Sequence, residues 1–349
     1  MWYVLLHPKS ESNQLILPKI RRRQTLERTK KWRWGVNRWW IFGLIFLSII
    51  IVQFIAVPIQ PHIQVAPERI LQEPIFTLPV IGDFYLVNTL PSLLLVDLII
   101  ILLALLVRNG LKGGNLVPKG VTAVFEMIVE MLYNLTETSA GKYTKQIFPW
   151  FATIIVLVFV ANITKLIPGM ETIGFMHHSE HGYLTQNIGG NWFILQGTKA
   201  PEGEGSIVTP FFRGLSTDLN FTVALALISV VMVQVLGIKA QGFRYFSKFL
   251  NFTTIFKKPF LGFMDFIVGV LELISELAKI LSFSFRLFGV MFSGTVLVAL
   301  VGSMVPVFVP SLIYAFELFM GVIQAFVFGM LTLVFMSQAT QGHAEHADH

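Results

Sequence analysis

Arg286 is the residue whose chemistry first demands an explanation. It is flanked by Phe283, Phe285, Leu287 and Phe288 and lies 15 residues before Val301, which is about 22 Å of helix at ~1.5 Å per residue. That depth is too great for easy snorkelling toward the Val301 end. A guanidinium does not deprotonate in proteins, so the charge is permanent. Ionisable residues inside an apolar span are costly and by default mark function. The same apolar run carries Asp265, Glu272, Glu276 and Lys279. Glu272, Glu276 and Lys279 are spaced i, i+4, i+7 and share one helix face. They form either a snorkelling stripe at one membrane surface or the lining of a hydrated proton or ion path. A second apolar run begins at Ser311, with Glu317 6 residues and Gln324 13 residues beyond it, about 9 and 20 Å along a helix. Thr295 lies 6 residues before Val301. If the two runs pair as an antiparallel hairpin, Thr295 is level with Glu317 and Arg286 with Gln324. A proton acceptor would then sit nearer one surface and a fixed cation deeper, as in a path that ends at an electrostatic barrier.

Other polar groups are weaker candidates. Asn162 and Lys165 fall near the end of a further span. There the asparagine can bond between helices and the lysine can snorkel to the surface. His177, His178 and His181 lie with Glu180 in a long polar connection, and His343, His346 and His349 close the sequence. Such spacing can ligate a metal. The flexible polar setting weighs against it, and neither a metal site nor a cofactor is expected.

The elements that position these residues belong to a membrane. Hydrophobic residues make up 54% of the 349 and charged residues 13%, against about 25% charged in a soluble domain. A hydrocarbon core of about 30 Å takes about 20 apolar residues as a helix. Candidate spans are Trp40–Val57, Leu90–Val107, Phe148–Ile167 and Phe221–Ile238, then the run Phe260–Val301, which exceeds one upright span. Pro306 and Pro310 break it before Ser311–Met336. The segment Val121–Leu135 is amphipathic, with Glu126, Glu130 and Asn134 opposite its apolar face. It is expected to lie at the interface or against neighbouring helices. The expected fold is therefore an all-α polytopic membrane protein of about six segments. The boundaries are a basic N-terminal segment 1–39, an additional span and linker 40–74, a core 75–340 and a His-rich tail 341–349.

Lys and Arg fix an orientation. With residues 1–39 in the cytoplasm, the cytoplasmic connections collect 20 of them and the opposite side 3, in agreement with the positive-inside rule. Both ends are then cytoplasmic and the segment 168–220 is external. Ten Lys and Arg precede Trp39, so the net charge of +6 is a topology signal and does not imply nucleic acid. No small-x-small site follows Ile55-Ala56-Val57-Pro58, so the first span is read as a retained anchor. No repeated or inverted half is visible, which disfavours a secondary transporter working alone. A purely structural subunit would leave Arg286 and Glu317 unexplained.

The block Leu281-Ser282-Phe283-Ser284-Phe285-Arg286-Leu287-Phe288-Gly289 resembles the signature of subunit a of F-type ATP synthases. Thr217-Asp218-Leu219-Asn220 with Thr222-Val223-Ala224-Leu225-Ala226-Leu227 is similar to that family's fourth-span start, and Gln324-Ala325-Phe326-Val327-Phe328 to its final helix. The resemblance covers roughly residues 75–340. It implies a long, steeply tilted C-terminal hairpin against a rotating ring of c subunits. It also implies neighbours among the b subunits or other peripheral-stalk helices, within the ATP synthase complex and its lipid bilayer. By that resemblance Arg286 separates two offset half-channels, Gln324 is its companion, and Glu317 stands seven residues before the glutamine. Asn162, Asp218, Asn220, Glu272, Glu276, Lys279, Ser282 and Thr295 are the remaining residues assigned to proton passage. The implied location is a bacterial plasma membrane.

The sequence also departs from that family's pattern. Val290 stands where asparagine is frequent, Thr295 where a carboxylate is common, Ile280 where proline is frequent, and Lys165 where a small or acidic residue is usual. Glu317 is therefore expected to be the main titrating group of the inward path. No GxxxxGK[ST] motif is present, so nucleotide chemistry would reside in other subunits.

Overall fold

The computed structural model describes residues 34–54, 64–71, 73–79, 82–112, 120–167, 169–179, 182–190, 192–201, 203–242, 245–246, 259–305 and 309–341. The chain divides after Gly43. The first unit contributes only the start of α1 (Trp34–Phe54) to the described residues, and the helical core belongs entirely to the second.

Six further helices are α2 (Thr89–Leu111), α3 (Val121–Ala140), α4 (Thr144–Thr164), α5 (Leu219–Gln241), α6 (Pro259–Met304) and α7 (Val309–Thr340). Among the described residues five helical stretches are long and apolar enough to cross a membrane, α3 and α4 counting together as Val121–Thr164. The protein is a multi-pass membrane protein with a helical core. Of the expected span Trp40–Val57, the residues after Phe54 lie outside the described ones. The expected amphipathic helix is α3. Its Leu132 is buried, whereas Val121, Val124 and Ile128 from the same apolar face are exposed.

The local signals are legible. Asp218 caps α5 by accepting from the Asn220 N–H at 2.9 Å, satisfying one of the donors a helix start leaves free. The chain passes from α3 to α4 through Gly141 at φ +51°, a backbone conformation that glycine enters without penalty. α6 has 46 residues, so it is about 69 Å long, more than twice a hydrocarbon core of about 30 Å.

α4 is the hub. Phe151 and Ile155 join Leu132 of α3, Leu236 of α5 and Leu333 and Met336 of α7 in one core cluster. Ile154 and Val158 join Leu225 of α5, Phe283, Leu287 and Met291 of α6, and Phe328 of α7 in a second. Val160 and Ala161 pack on Val96 of α2 in a third. Without a hydrophobic drive between helices in lipid, such packing needs small residues for close approach. Gly329 supplies one, since a Cβ there would strike the Ile155 side chain. Gly329→Val is therefore expected to lower thermal stability by about 1–3 kcal/mol, the usual cost of overpacking. Comparing the aggregation temperatures of variant and parent in detergent checks this.

The segment between α4 and α5 is an antiparallel sheet. Its strands β3 (Gly174–Ser179), β4 (Tyr183–Gly189), β5 (Trp192–Lys199) and β6 (Gly205–Pro210) lie in the order β3-β6-β4-β5. A short hairpin, β1 (Phe76–Leu78) with β2 (Gly82–Phe84), precedes α2. Where the sequence suggests only a polar connection, the helical membrane core carries a small β cap.

Candidate functional site

Three of the 26 Lys and Arg fall inside the expected spans, Lys165, Lys279 and Arg286, and each sits differently. Lys165 does not snorkel. It is buried at the end of α4, where its Nζ donates to Glu317 Oε1 of α7 at 3.1 Å and to the Met291 carbonyl of α6 at 3.0 Å. Both side chains of the pair are 4% exposed. Two glycines make room for it. A Cβ on Gly294 would strike the Glu317 carboxylate, and one on Gly214 would lie 2.9 Å from the lysine stem. The second carboxylate oxygen, Oε2, has no hydrogen-bond partner among the described residues.

Asn162, one helical turn before Lys165, ties the same elements together. Its Nδ2 donates to the Gly321 carbonyl of α7 at 2.9 Å, and its Oδ1 accepts from Ser216 Oγ at 2.6 Å. The helix–helix bond expected for Asn162 is present, and Ser216, for which the sequence gives no signal, completes the asparagine's bonding.

The pair borders a cavity of about 580 Å³ on the side of the β cap. Its lining includes Glu68, Glu171, Arg213, Thr295 and Tyr314. Thr295 Oγ1 returns to the Met291 carbonyl at 3.2 Å. Arg213 donates from Nη1 to the Ala66 carbonyl at 2.7 Å and from Nη2 to the Gln64 carbonyl, holding the segment before α2 at the mouth.

Gly294 lies against Glu317, and Phe283 against Phe328 with ring centroids 5.2 Å apart. Both pairs fall on one antiparallel register. Eight residues from the first pair along each helix, about 12 Å, that register sets Arg286 level with Ala325, next to the buried Gln324.

Arg286 is exposed. Its Nη2 donates to Ser282 Oγ at 3.4 Å, and no carboxylate pairs with it among the described residues. The surrounding exposed face is apolar or small, formed by Ile274, Leu277, Leu281 and Phe285, with open space around Gly289. Earlier in α6, Lys279 donates to Glu276 Oε1 at 2.9 Å and lies over the Phe335 ring at 4.8 Å. Past the end of α5, Tyr245 donates to Gln234 Oε1 at 2.7 Å. Burial first, then the charges of Glu276 and Glu272, push its hydroxyl up to about 12, so it stays a neutral donor.

Other expected site residues are placed differently. Asp218 is occupied as the α5 cap and Asn220 is exposed. His177 and His178 are consecutive in β3, so they point to opposite faces. Glu180, His181 and the three C-terminal histidines lie outside the described residues, as do the surroundings of Asp265.

Residues 90–337 match the family described as the ATP synthase A chain. The chain is similar to ATP synthase subunit a of Mycobacterium bovis, 29% identical over 264 residues that cover 74% of this chain and 89% of the relative. It is 29% identical over 247 residues to that of Moorella thermoacetica, covering 70% and 88%. A sodium-ion-specific ATP synthase subunit a of Propionigenium modestum is 30% identical over 251 residues, covering 72% and 73%.

Proposed function

We propose that this chain, which belongs to the ATP synthase A chain family, conducts protons between a membrane surface and a rotating ring of c subunits within an F-type ATP synthase. The observation that carries the reading is Arg286, a permanent cation on an uncovered face of α6 otherwise formed by apolar or small residues. In hydrocarbon such a charge is costly unless a partner covers it. A partner helix bearing a carboxylate would supply the counter-charge and bury the apolar face at once. Ala278, Ser282, Gly289 and Ser293 on that face are small enough for close approach.

The chemistry is electrostatic. A proton from the external side enters the cavity beneath the β cap, reaches Glu317 Oε2 and passes to a ring carboxylate. Neutralised, that carboxyl group can turn into lipid, because burial penalises the ionised form. After nearly a full rotation it releases its proton toward the cytoplasm along Ser282, Lys279, Glu276 and Glu272. Arg286 attracts the ionised carboxylate between the two paths and repels a proton crossing directly. Each charge moved is driven by about 2.3 kcal/mol per 100 mV of membrane potential. Gln324, next to the Ala325 that is level with Arg286, is an uncharged hydrogen-bonding group near the same depth, and Asn162 holds α4 to α7 around the inward path.

Purification tests the assembly. The chain is expected to copurify with a c ring and a catalytic head, whereas a transporter acting alone would purify without them. Orientation is checked separately. Single cysteines, unambiguous in a chain with no native cysteine, are expected to react with an impermeant reagent from outside in the β cap. Cysteines at positions 21–38 and after Met336 should react only from the cytoplasm, and external labelling of the tail would overturn the scheme.

A further inference from the structure

We infer that Lys165 is a specificity-determining residue of the inward path, closing it to metal cations while leaving it open to protons. The inference rests on the function proposed above and concerns a residue that departs from the family pattern. The cavity as a whole attracts cations, because three carboxylates, Glu68, Glu171 and Glu317, line it against two cations, Lys165 and Arg213. At its floor the charge is balanced. The Lys165 ammonium bonds Glu317 Oε1 at 3.1 Å, and the clearance provided by Gly294 and Gly214 fixes the pair in place.

A proton and a sodium ion meet this floor differently. A proton needs one lone pair, and Glu317 Oε2, buried and without a hydrogen-bond partner among the described residues, offers it. The O–H bond formed there breaks when the proton leaves for the ring carboxylate, and Lys165 keeps its own protons throughout. A sodium ion needs several oxygens and brings a full charge next to a fixed ammonium. Oε1 and the Met291 carbonyl already accept from Lys165. Two unit charges about 4 Å apart repel strongly enough, at the dielectric of a partly hydrated protein, to lower sodium occupancy by roughly two to three orders of magnitude.

The test uses the complete complex in liposomes, with proton uptake driven by a potassium diffusion potential in external choline chloride or sodium chloride. The wild-type rate is expected to be equal in the two salts. Lys165→Gln is expected to be slowed several-fold by sodium relative to choline, and Lys165→Arg, which restores the cation, to be insensitive again. A residue serving only to pack α4 would move all rates without distinguishing the salts. Should Lys165→Gln not assemble, Lys165→Ser leaves space for water to hydrate Glu317 and carries the same expectation. Wild-type uptake slowed by sodium, or an assembled neutral variant indifferent to it, would overturn the inference. A wild-type complex taking up no protons in choline would instead overturn the function proposed above.

Discussion

Arg286→Ala is expected to abolish ATP synthesis driven by an acid–base jump, down to the level of uncoupled liposomes, while the complex still assembles. The side chain is exposed and its one hydrogen bond within the described chain is the 3.4 Å contact to Ser282. Its removal therefore opens no cavity and breaks no buried pair. What disappears is the attraction for a ring carboxylate and the barrier between the two paths, so passive proton leak is expected to rise as synthesis falls. Arg286→Lys tests the chemistry more sharply because it keeps a cation. An ammonium lacks the planar fork that engages a carboxylate, and it can lose its proton when desolvated. That variant too is expected to fail in synthesis. Synthesis by the alanine variant near the parent rate would reduce Arg286 to a surface residue and remove the basis of the mechanism.

The membrane spans are legible in the sequence because long apolar runs and the placement of Lys and Arg are one-dimensional signals. So is the depth of Arg286, which needs only the helical rise. The β cap is not. Its strands are six to eight residues long, and they sit in a polar stretch where helix-scale periodicity says nothing. Gly190-Asn191, the sequence between the paired residues Gly189 and Trp192, with Gly190 at φ +60°, is the hairpin signal that could have exposed β4 and β5. Lys165 departs from expectation for a different reason. A lysine at a span end has an apolar stem that suits snorkelling, and sequence alone does not reveal that Gly214 and Gly294 leave space for it to turn inward. Ser216 escapes notice because its partner, Asn162, is 54 residues away. Pairings between distant helices carry no local pattern.

The inward turn of Lys165 changes what is expected of Glu317. Taken from the sequence, Glu317→Gln should slow proton entry severely and leave the complex assembled. The structure makes the carboxylate half of a buried ion pair, and removing one partner of such a pair leaves an uncompensated charge at a cost of about 3–5 kcal/mol. The single variant is therefore expected to assemble poorly, which by itself would not separate a structural role from a conducting one. The double variant Glu317→Gln with Lys165→Gln does separate them. It leaves no buried charge, keeps the volume of the carboxylate, and lets the two amides bond to each other and to the Met291 carbonyl. It is expected to assemble at near the parental level. Proton uptake from the cavity side should nevertheless fall by roughly a hundredfold, the low end of what a positioned proton-transfer group contributes. Thr295, on the opposite helix, cannot replace Glu317, since a hydroxyl bonded to its own backbone at 3.2 Å offers no group that titrates. Assembly is read from copurified ring and head subunits, and uptake from the internal pH of liposomes under an imposed potential. Parental uptake by an assembled double variant would mean that protons reach the ring by a route that bypasses the Lys165–Glu317 pair.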